Sequence, residues 1–369
     1  MNKKARRAAL VSVDARGLYC AAGGFHIDPW RPVPRALITH AHADHLRAGS
    51  EHYLLARPGL GLSRARLPPD ASIDTLDYGE RRRIGAVTVS LHPAGHLLGS
   101  AQVRIEHRGE VWVVSGDYKM AADTTCAPFE PLRCDTFISE CTFGLPIYRW
   151  EPPAQTGARL NALWQEAVAR GEPLLVGAYA LGKAQRLLSL IAPEIGPVWL
   201  HGAVANITDI YRSSGVALPA SRSVSEASRG ADFAGALVLA PPSALHGAWA
   251  RRFRQAQRVL ASGWMTVRGA RRRRGVDGGL VLSDHADWPG LLQAITATGA
   301  ERVLLTHGHT APLQAYLRSL GLDANALDTE YEGEAGGEHD GEPPPVAAVA
   351  AEIPMPRGPD TQPDTTATS

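Results

Sequence analysis

Ile38-Thr39-His40-Ala41-His42-Ala43-Asp44-His45 places three histidines and an aspartate within six residues, directly after an apolar run. Residues 35–39 read as a strand, and a strand that delivers such a loop can aim it at one point. His40 and His42 lie two apart, so an extended backbone turns both imidazoles the same way. Asp44 and His45 fall where the chain turns and can face a second point beside the first. Imidazole nitrogen and carboxylate oxygen are the donors a catalytic zinc ion accepts. Further donors recur just past other apolar runs. His96 sits in Ala94-Gly95-His96-Leu97-Leu98-Gly99-Ser100, Asp117 in Ser115-Gly116-Asp117, and His307 in Thr306-His307-Gly308-His309. Any one of these would pass for a satisfied polar residue. Their shared placement at strand ends makes them a candidate metal constellation.

Outward from these motifs, the first part of the chain reads as strand-rich, with strands expected near 87–91, 101–106, 111–115 and 136–139. From about Pro152 the pattern changes to alternating helix and strand: a helix over 158–169, a strand over 173–179, a helix over 183–191, then strands at 198–200, 236–239 and 257–261. Such alternation indicates a parallel sheet. Strands at 279–282 and 302–306, each followed by a helix, complete the body.

The chain has 369 residues, 44% of them hydrophobic and 20% charged, which is the composition of a globular protein with a substantial core. No apolar stretch is long enough to span a membrane. The four cysteines show neither CxxC pairing nor framework spacing, so reduced thiols and a cytoplasmic setting are expected. From Glu330 onward nine acids face the single Arg357, a net of −8 that leaves +9 on residues 1–329. A positive body suits a polyanionic partner. Residues 331–369 are rich in Gly, Glu, Pro, Ala and Thr, and are expected to form a disordered acidic tail.

The HxHxDH run at His40 to His45, the Gly-His at His96, the Gly-Asp at Asp117 and the late His307 together resemble the metallo-β-lactamase superfamily. Its β-CASP branch is marked by Ile138-Ser139-Glu140-Cys141-Thr142-Phe143-Gly144, by Ser283-Asp284-His285-Ala286-Asp287, and between them by Gly182-Lys183-Ala184-Gln185. The resemblance implies an α/β fold, an αββα sandwich carrying an inserted α/β domain. Its core would take residues 10–150 and 277–325, and the β-CASP insertion residues 151–276. It further implies that His40, His42 and His96 hold one zinc ion, that Asp44, His45 and His307 hold a second, and that Asp117 bridges them. Asp28, in Phe25-His26-Ile27-Asp28-Pro29, would support the histidine loop from behind. Manganese is the alternative metal to the two zinc ions.

The same resemblance implies phosphodiester hydrolysis, with Asp117, Glu140 and His285 as the catalytic groups. His285 would donate the proton to the departing oxygen, and Glu140 would orient it. Lys183 and Arg186 at a helix start, with Arg268, Arg271 and Arg272 in an arginine run, are candidate contacts to nucleic acid. Asp28-Pro29-Trp30-Arg31-Pro32, the Gly263-Trp264-Met265 turn and the Ser283 to Trp288 segment look like the bacterial ligase-associated DNA exonucleases, relatives of mRNA 3′-end-processing factors. That likeness implies a DNA exonuclease in DNA repair, associated with a DNA ligase and a helicase. His307 instead matches the RNA-processing members, so an RNA-processing nuclease is the alternative. A thioesterase or lactonase, and a non-catalytic nucleic-acid-binding subunit, are the more distant readings.

Overall fold

Two kinds of strand are written into this sequence, and they build different sheets. Ser72–Leu76 and Arg81–Ile84 alternate between exposed and covered positions, as half-buried strands do. Leu174–Gly177 and Leu237–Ala240 are buried at every position, as strands covered on both faces must be. The structure, a computed structural model, describes residues 9–228, 230–267 and 275–330. The expected acidic tail and Arg268, Arg271 and Arg272 lie outside the described residues.

The first sheet runs in chain order through β1 (Ser12–Asp14), β2 (Gly17–Cys20), β3 (Phe25–Ile27), β4 (Arg35–Ile38), β5 (His52–Ala56) and β6 (Ser72–Leu76). It begins antiparallel and becomes parallel from β3 onward. The second sheet orders β7 (Arg81–Ile84), β8 (Val87–Pro93), β9 (Ala101–His107), β10 (Glu110–Val114) and β11 (Thr136–Cys141), then β18 (Arg302–Gly308) and β19 (Asp323–Ala326). It is antiparallel up to β10 and parallel beyond it. Leu18, Leu37 and Leu54 of the first sheet pack against Val89, Val103, Ile105, Trp112 and Ile138 of the second.

Helices close both outer faces. Leu291 and Ile295 of α5 (Trp288–Thr298) and Leu313 and Leu317 of α6 (Thr310–Ser319) cover Phe137, Val303 and Leu305. Leu62 of α1 (Leu60–Arg64) and Tyr211 of α4 (Gly202–Ser213) cover Ala36, Ile38 and Leu55. The result is the αββα sandwich. A third, wholly parallel sheet has the order β14 (Arg222–Ser223), β13 (Val198–Leu200), β15 (Leu237–Ala240), β12 (Leu174–Gly177), β16 (Gln257–Ala261) and β17 (Gly278–Leu280). Leu160 and Trp164 of α2 (Pro153–Ala169), with Leu187 and Leu188 of α3 (Lys183–Leu188), cover one of its faces. This sheet extends past the expected boundary after residue 276, because Gly278–Leu280 pairs with Val259–Ala261.

One turn is dictated by space. Gly116 has φ +57°, and a Cβ there would stand 2.6 Å from the Thr39 Cβ. Gly116→Ala is therefore expected to lower stability by about 1–3 kcal/mol and to displace Asp117. Urea unfolding together with metal titration checks this; unchanged stability and metal binding would rule out the steric argument.

Candidate metal centre

Parallel strands end together, and the chain places its donors at those ends. His40 follows β4, Asp117 follows β10, and Glu140 and His307 are the next-to-last residues of β11 and β18. The pairing of β11 with β18 shifts register between Ser139 and Cys141. The extra residue lies on β18, where Thr306 and His307 stand opposite the single Glu140, and such a bulge re-aims side chains at the strand ends.

The outer nitrogens of three imidazoles fix their tautomers. His42 Nε2–H donates to the Leu181 carbonyl at 3.1 Å, and His96 Nδ1–H to the Asp284 carbonyl at 2.7 Å. The Thr39 hydroxyl gives its only proton to Asp28 at 2.5 Å, so at 3.0 Å it accepts from His40 Nδ1–H. Each inward nitrogen therefore carries a lone pair. These lone pairs face one another, with His42 Nδ1 lying 3.1 Å from both His40 Nε2 and His96 Nε2. Lone pairs so close repel unless a cation sits between them, and ligands of a tetrahedral zinc stand about 3.3 Å apart. Burial keeps all three imidazoles neutral, His40 and His96 well below the usual histidine range and His42 below it. His40, His42, His96 and Asp117 thus fit a metal ion by both donor type and spacing.

Beside this set lies a more acidic one. Asp28 accepts from His45 Nδ1 at 2.7 Å, turning His45 Nε2 toward Asp117 Oδ2 at 3.5 Å and Asp44 Oδ2 at 3.6 Å. His307 Nε2 lies 3.1 Å from Asp117 Oδ1. Asp117 Oδ2 is also 3.4 Å from His40 Nε2 and 3.7 Å from His96 Nε2, so this one carboxylate touches both sets. Burial pushes the Asp117 carboxyl up, yet His45, His285 and His307 hold it well below the carboxylate range. Burial likewise pushes His45 down, but Asp117, Asp44 and Asp28 outweigh it and raise the imidazole well above its usual range. Three carboxylates gathered around one imidazole make a place that suits positive charge. Asp28 itself has φ +44°, a left-handed backbone uncommon outside glycine, and its bonds to Thr39 and His45 hold it there.

No known family model matches the chain. A probable DNA ligase of Opitutus terrae (strain DSM 11246 / JCM 15787 / PB90-1) is 33% identical over 326 residues, 87% of this chain and 31% of that protein. Cleavage and polyadenylation specificity factor 73 of Drosophila melanogaster is 31% identical over 147 residues, 39% of this chain and 21% of that protein. An RNase J-like protein of Methanocaldococcus jannaschii is 26% identical over 214 residues, 50% of this chain and 51% of that protein. The chain belongs to the β-CASP branch of the metallo-β-lactamase superfamily. It spans under two thirds of the length of each of these curated relatives. Among solved structures, a protein of unknown function from Enterococcus faecalis V583 superposes with a TM-score of 0.56 at 11% identity. That match covers 81% of this chain and 80% of the other, and it speaks for the fold alone.

The third donor group of this β-CASP centre is Asp117, Glu140 and His285. Glu140 Oε1 accepts from His285 Nδ1 at 2.8 Å and from the Tyr118 amide at 3.1 Å. Glu140 Oε2 accepts from the Thr142 amide at 3.1 Å and the Thr142 hydroxyl at 2.6 Å. The His285 carbonyl accepts from the Trp150 indole at 2.9 Å, and His285 Nδ1 lies 4.0 Å from Asp117 Oδ2.

Sequence-expected Asp28, His40, His42, Asp44, His45, His96, Asp117, Glu140, His285 and His307 thus converge, whereas Lys183 and Arg186 correct the expectation. Neither presents its charge to a phosphate backbone. Lys183 is fully buried, with its ammonium 4.7 Å from the centre of the Tyr179 ring. Arg186 is 5% exposed, and its guanidinium is engaged by Asp284 and the Ser283 carbonyl. A glycine followed by a basic helix start resembles a phosphate cradle in sequence, but this helix is buried along its whole length. Thr39 and the Leu181 carbonyl were not anticipated. The threonine's place between a strand and the first histidine was its only signal.

Proposed function

We propose that this chain is a two-zinc nuclease, most specifically a DNA exonuclease that works beside a ligase and a helicase in DNA repair. The observation that carries the hydrolytic reading is the Glu140–His285 pair set against Asp117, the carboxylate shared by the two donor sets. The count of two metals rests on geometry: Asp117 Oδ2 meets His40 and His96 on one side, and Asp117 meets His45 and His307, beside Asp44, on the other, which makes room for two divalent cations sharing one carboxylate. Bound there, the cations would supply Lewis acidity toward phosphate oxygens and a water acidified toward neutral pH. His285 is the proton donor to the departing oxygen: its Nδ1–H is held by Glu140, which leaves Nε2 to carry the transferred proton. Thr142 and Tyr118 hold Glu140 in turn.

The choice of DNA is supported by the Opitutus relative, in which a segment like this chain is part of a protein named for DNA ligation. His307, together with relatives named as a cleavage and polyadenylation factor and as RNase J-like, favours RNA as the second reading. In this proposal the sandwich is the catalytic core and the third sheet the β-CASP insertion. The four free cysteines suit a cytoplasmic setting, and no helix among the described residues is long and apolar enough to cross a membrane.

The test is incubation of the zinc-loaded protein with labelled single-stranded DNA and RNA of one sequence. Stepwise shortening of DNA alone is the expected result, and the end that shortens gives the polarity. Cleavage of RNA alone would move the protein to the RNA-processing reading, and cleavage of neither would defeat both.

A further inference from the structure

Four charged side chains lie buried between the sandwich and the third sheet, directly behind His96. Lys119 and Asp123 come from the segment after β10. Arg186 comes from α3, and Asp284 from the loop after β17. Their side chains are no more than 5% exposed. Lys119 Nζ lies 2.6 Å from Asp123 Oδ2 and 4.0 Å from Asp284 Oδ1. Arg186 reaches Asp284 Oδ1 at 3.3 Å and Asp123 Oδ2 at 3.7 Å, and it donates to the Ser283 carbonyl. Burying two cations with two anions costs desolvation that a packed apolar cluster would avoid. Stability alone is therefore a poor account of the group.

What distinguishes the cluster is where it ends. Lys119 donates to the His96 carbonyl at 3.3 Å, and the Asp284 carbonyl takes the His96 Nδ1 proton at 2.7 Å. His96 is thus gripped through both its backbone and its ring. The Asp284 carboxylate faces Lys119 at 4.0 Å and Arg186 at 3.3 Å. With the side chain anchored by cations on one side, the carbonyl of the same residue is turned toward the imidazole on the other. The residue after Asp284 is His285, so the same anchor also sets where the Glu140–His285 pair stands.

We propose that Lys119, Asp123, Arg186 and Asp284 form a positioning network that fixes the tautomer of His96, and so the metal affinity of the His40–His42–His96 set. The third sheet's unit is then part of the metal centre without supplying a ligand. Leu181, just ahead of α3, plays the equivalent part for His42 through its carbonyl. Arg186 is a positioning residue: it acts on the metal through Asp284 and touches neither metal nor substrate. The inference rests on reading His40, His42 and His96 as metal ligands.

The experiment titrates Co2+ and Zn2+ into metal-free full-length protein against a chelating dye, and records the visible spectrum of the cobalt form. Arg186→Gln is expected to bind the metal of the three-imidazole set about 10–100-fold more weakly and to shift the cobalt bands. The Asp44–His45–His307 set should keep its affinity. Arg186→Lys restores the charge without the two-pronged donor and should recover only part of the loss. Asp123→Asn, at the edge of the network, should show the same selective weakening to a smaller degree, and it decides the matter if Arg186→Gln fails to fold. Lower thermal stability with parental affinity and parental cobalt bands would mean a purely structural ion cluster and would overturn the inference. A parent protein that binds neither metal would overturn the ligand reading itself, and this inference with it.

Discussion

Replacing Asp117 by alanine is expected to lower phosphodiester hydrolysis on the order of 10⁴-fold and to leave the protein with less than its full metal content. Asp117 reaches imidazoles of both donor sets: its oxygens lie 3.4 Å from His40, 3.5 Å from His45, 3.7 Å from His96 and 3.1 Å from His307. Alanine removes the shared ligand and also the negative charge that faces His45. Asp117→Asn separates the two effects, because an amide keeps one oxygen and loses the charge. It should retain the metal of the three-imidazole set better than that of the acidic set. Metal analysis by mass spectrometry, alongside single-turnover cleavage of labelled DNA and RNA, reads both. A variant with full metal content and more than about a tenth of the parental rate would show that Asp117 does not join the two sets.

The centre was legible because its donors cluster in sequence or stand beside diagnostic small residues. His40, His42, Asp44 and His45 lie in one loop, and Gly95 and Gly116 immediately precede His96 and Asp117. A pair such as Glu140 and His285, separated by 145 positions, could be joined only through the family resemblance, since neither residue announces the other locally. Lys183 and Arg186 were misread for the complementary reason. Their local pattern is that of a phosphate-binding helix start, and the carboxylate that claims Arg186 lies 98 positions away. Local pattern also missed the five-residue β5 and β6, and with them β1, β3 and β14, which are only two or three residues long. Alternation cannot be recognised over so short a span. The helix at Gly202–Ser213 was missed as well, although its N-cap, the His201 ring accepting from the Ala203 amide, is local. Histidine is not among the residues that usually mark such a start.

Replacing His285 by alanine is expected to lower the rate about 10²- to 10⁴-fold while leaving metal content at the parental level. This is the outcome that separates a proton donor from a ligand. His285 stands 4.0 Å from Asp117 Oδ2 and gives its Nδ1 proton to Glu140, so its link to the centre runs through a carboxylate pair. The size of the loss should depend on the departing group. A nucleoside oxygen needs a proton as it leaves, whereas a p-nitrophenolate does not, so the variant should cleave a p-nitrophenyl ester of thymidine phosphate at close to the parental rate. The pH profile carries the same information, because a donor must hold its proton to act. The parent's rate on nucleic acid should fall as pH rises, and the variant should lack that alkaline limb. Glu140→Gln keeps the hydrogen-bonding shape and removes the charge behind the imidazole, and should cost about 10–100-fold with the alkaline limb displaced. Equal losses on both substrates, with an unaltered pH profile, would instead assign His285 to holding the Trp150 and Asp287 segment in place.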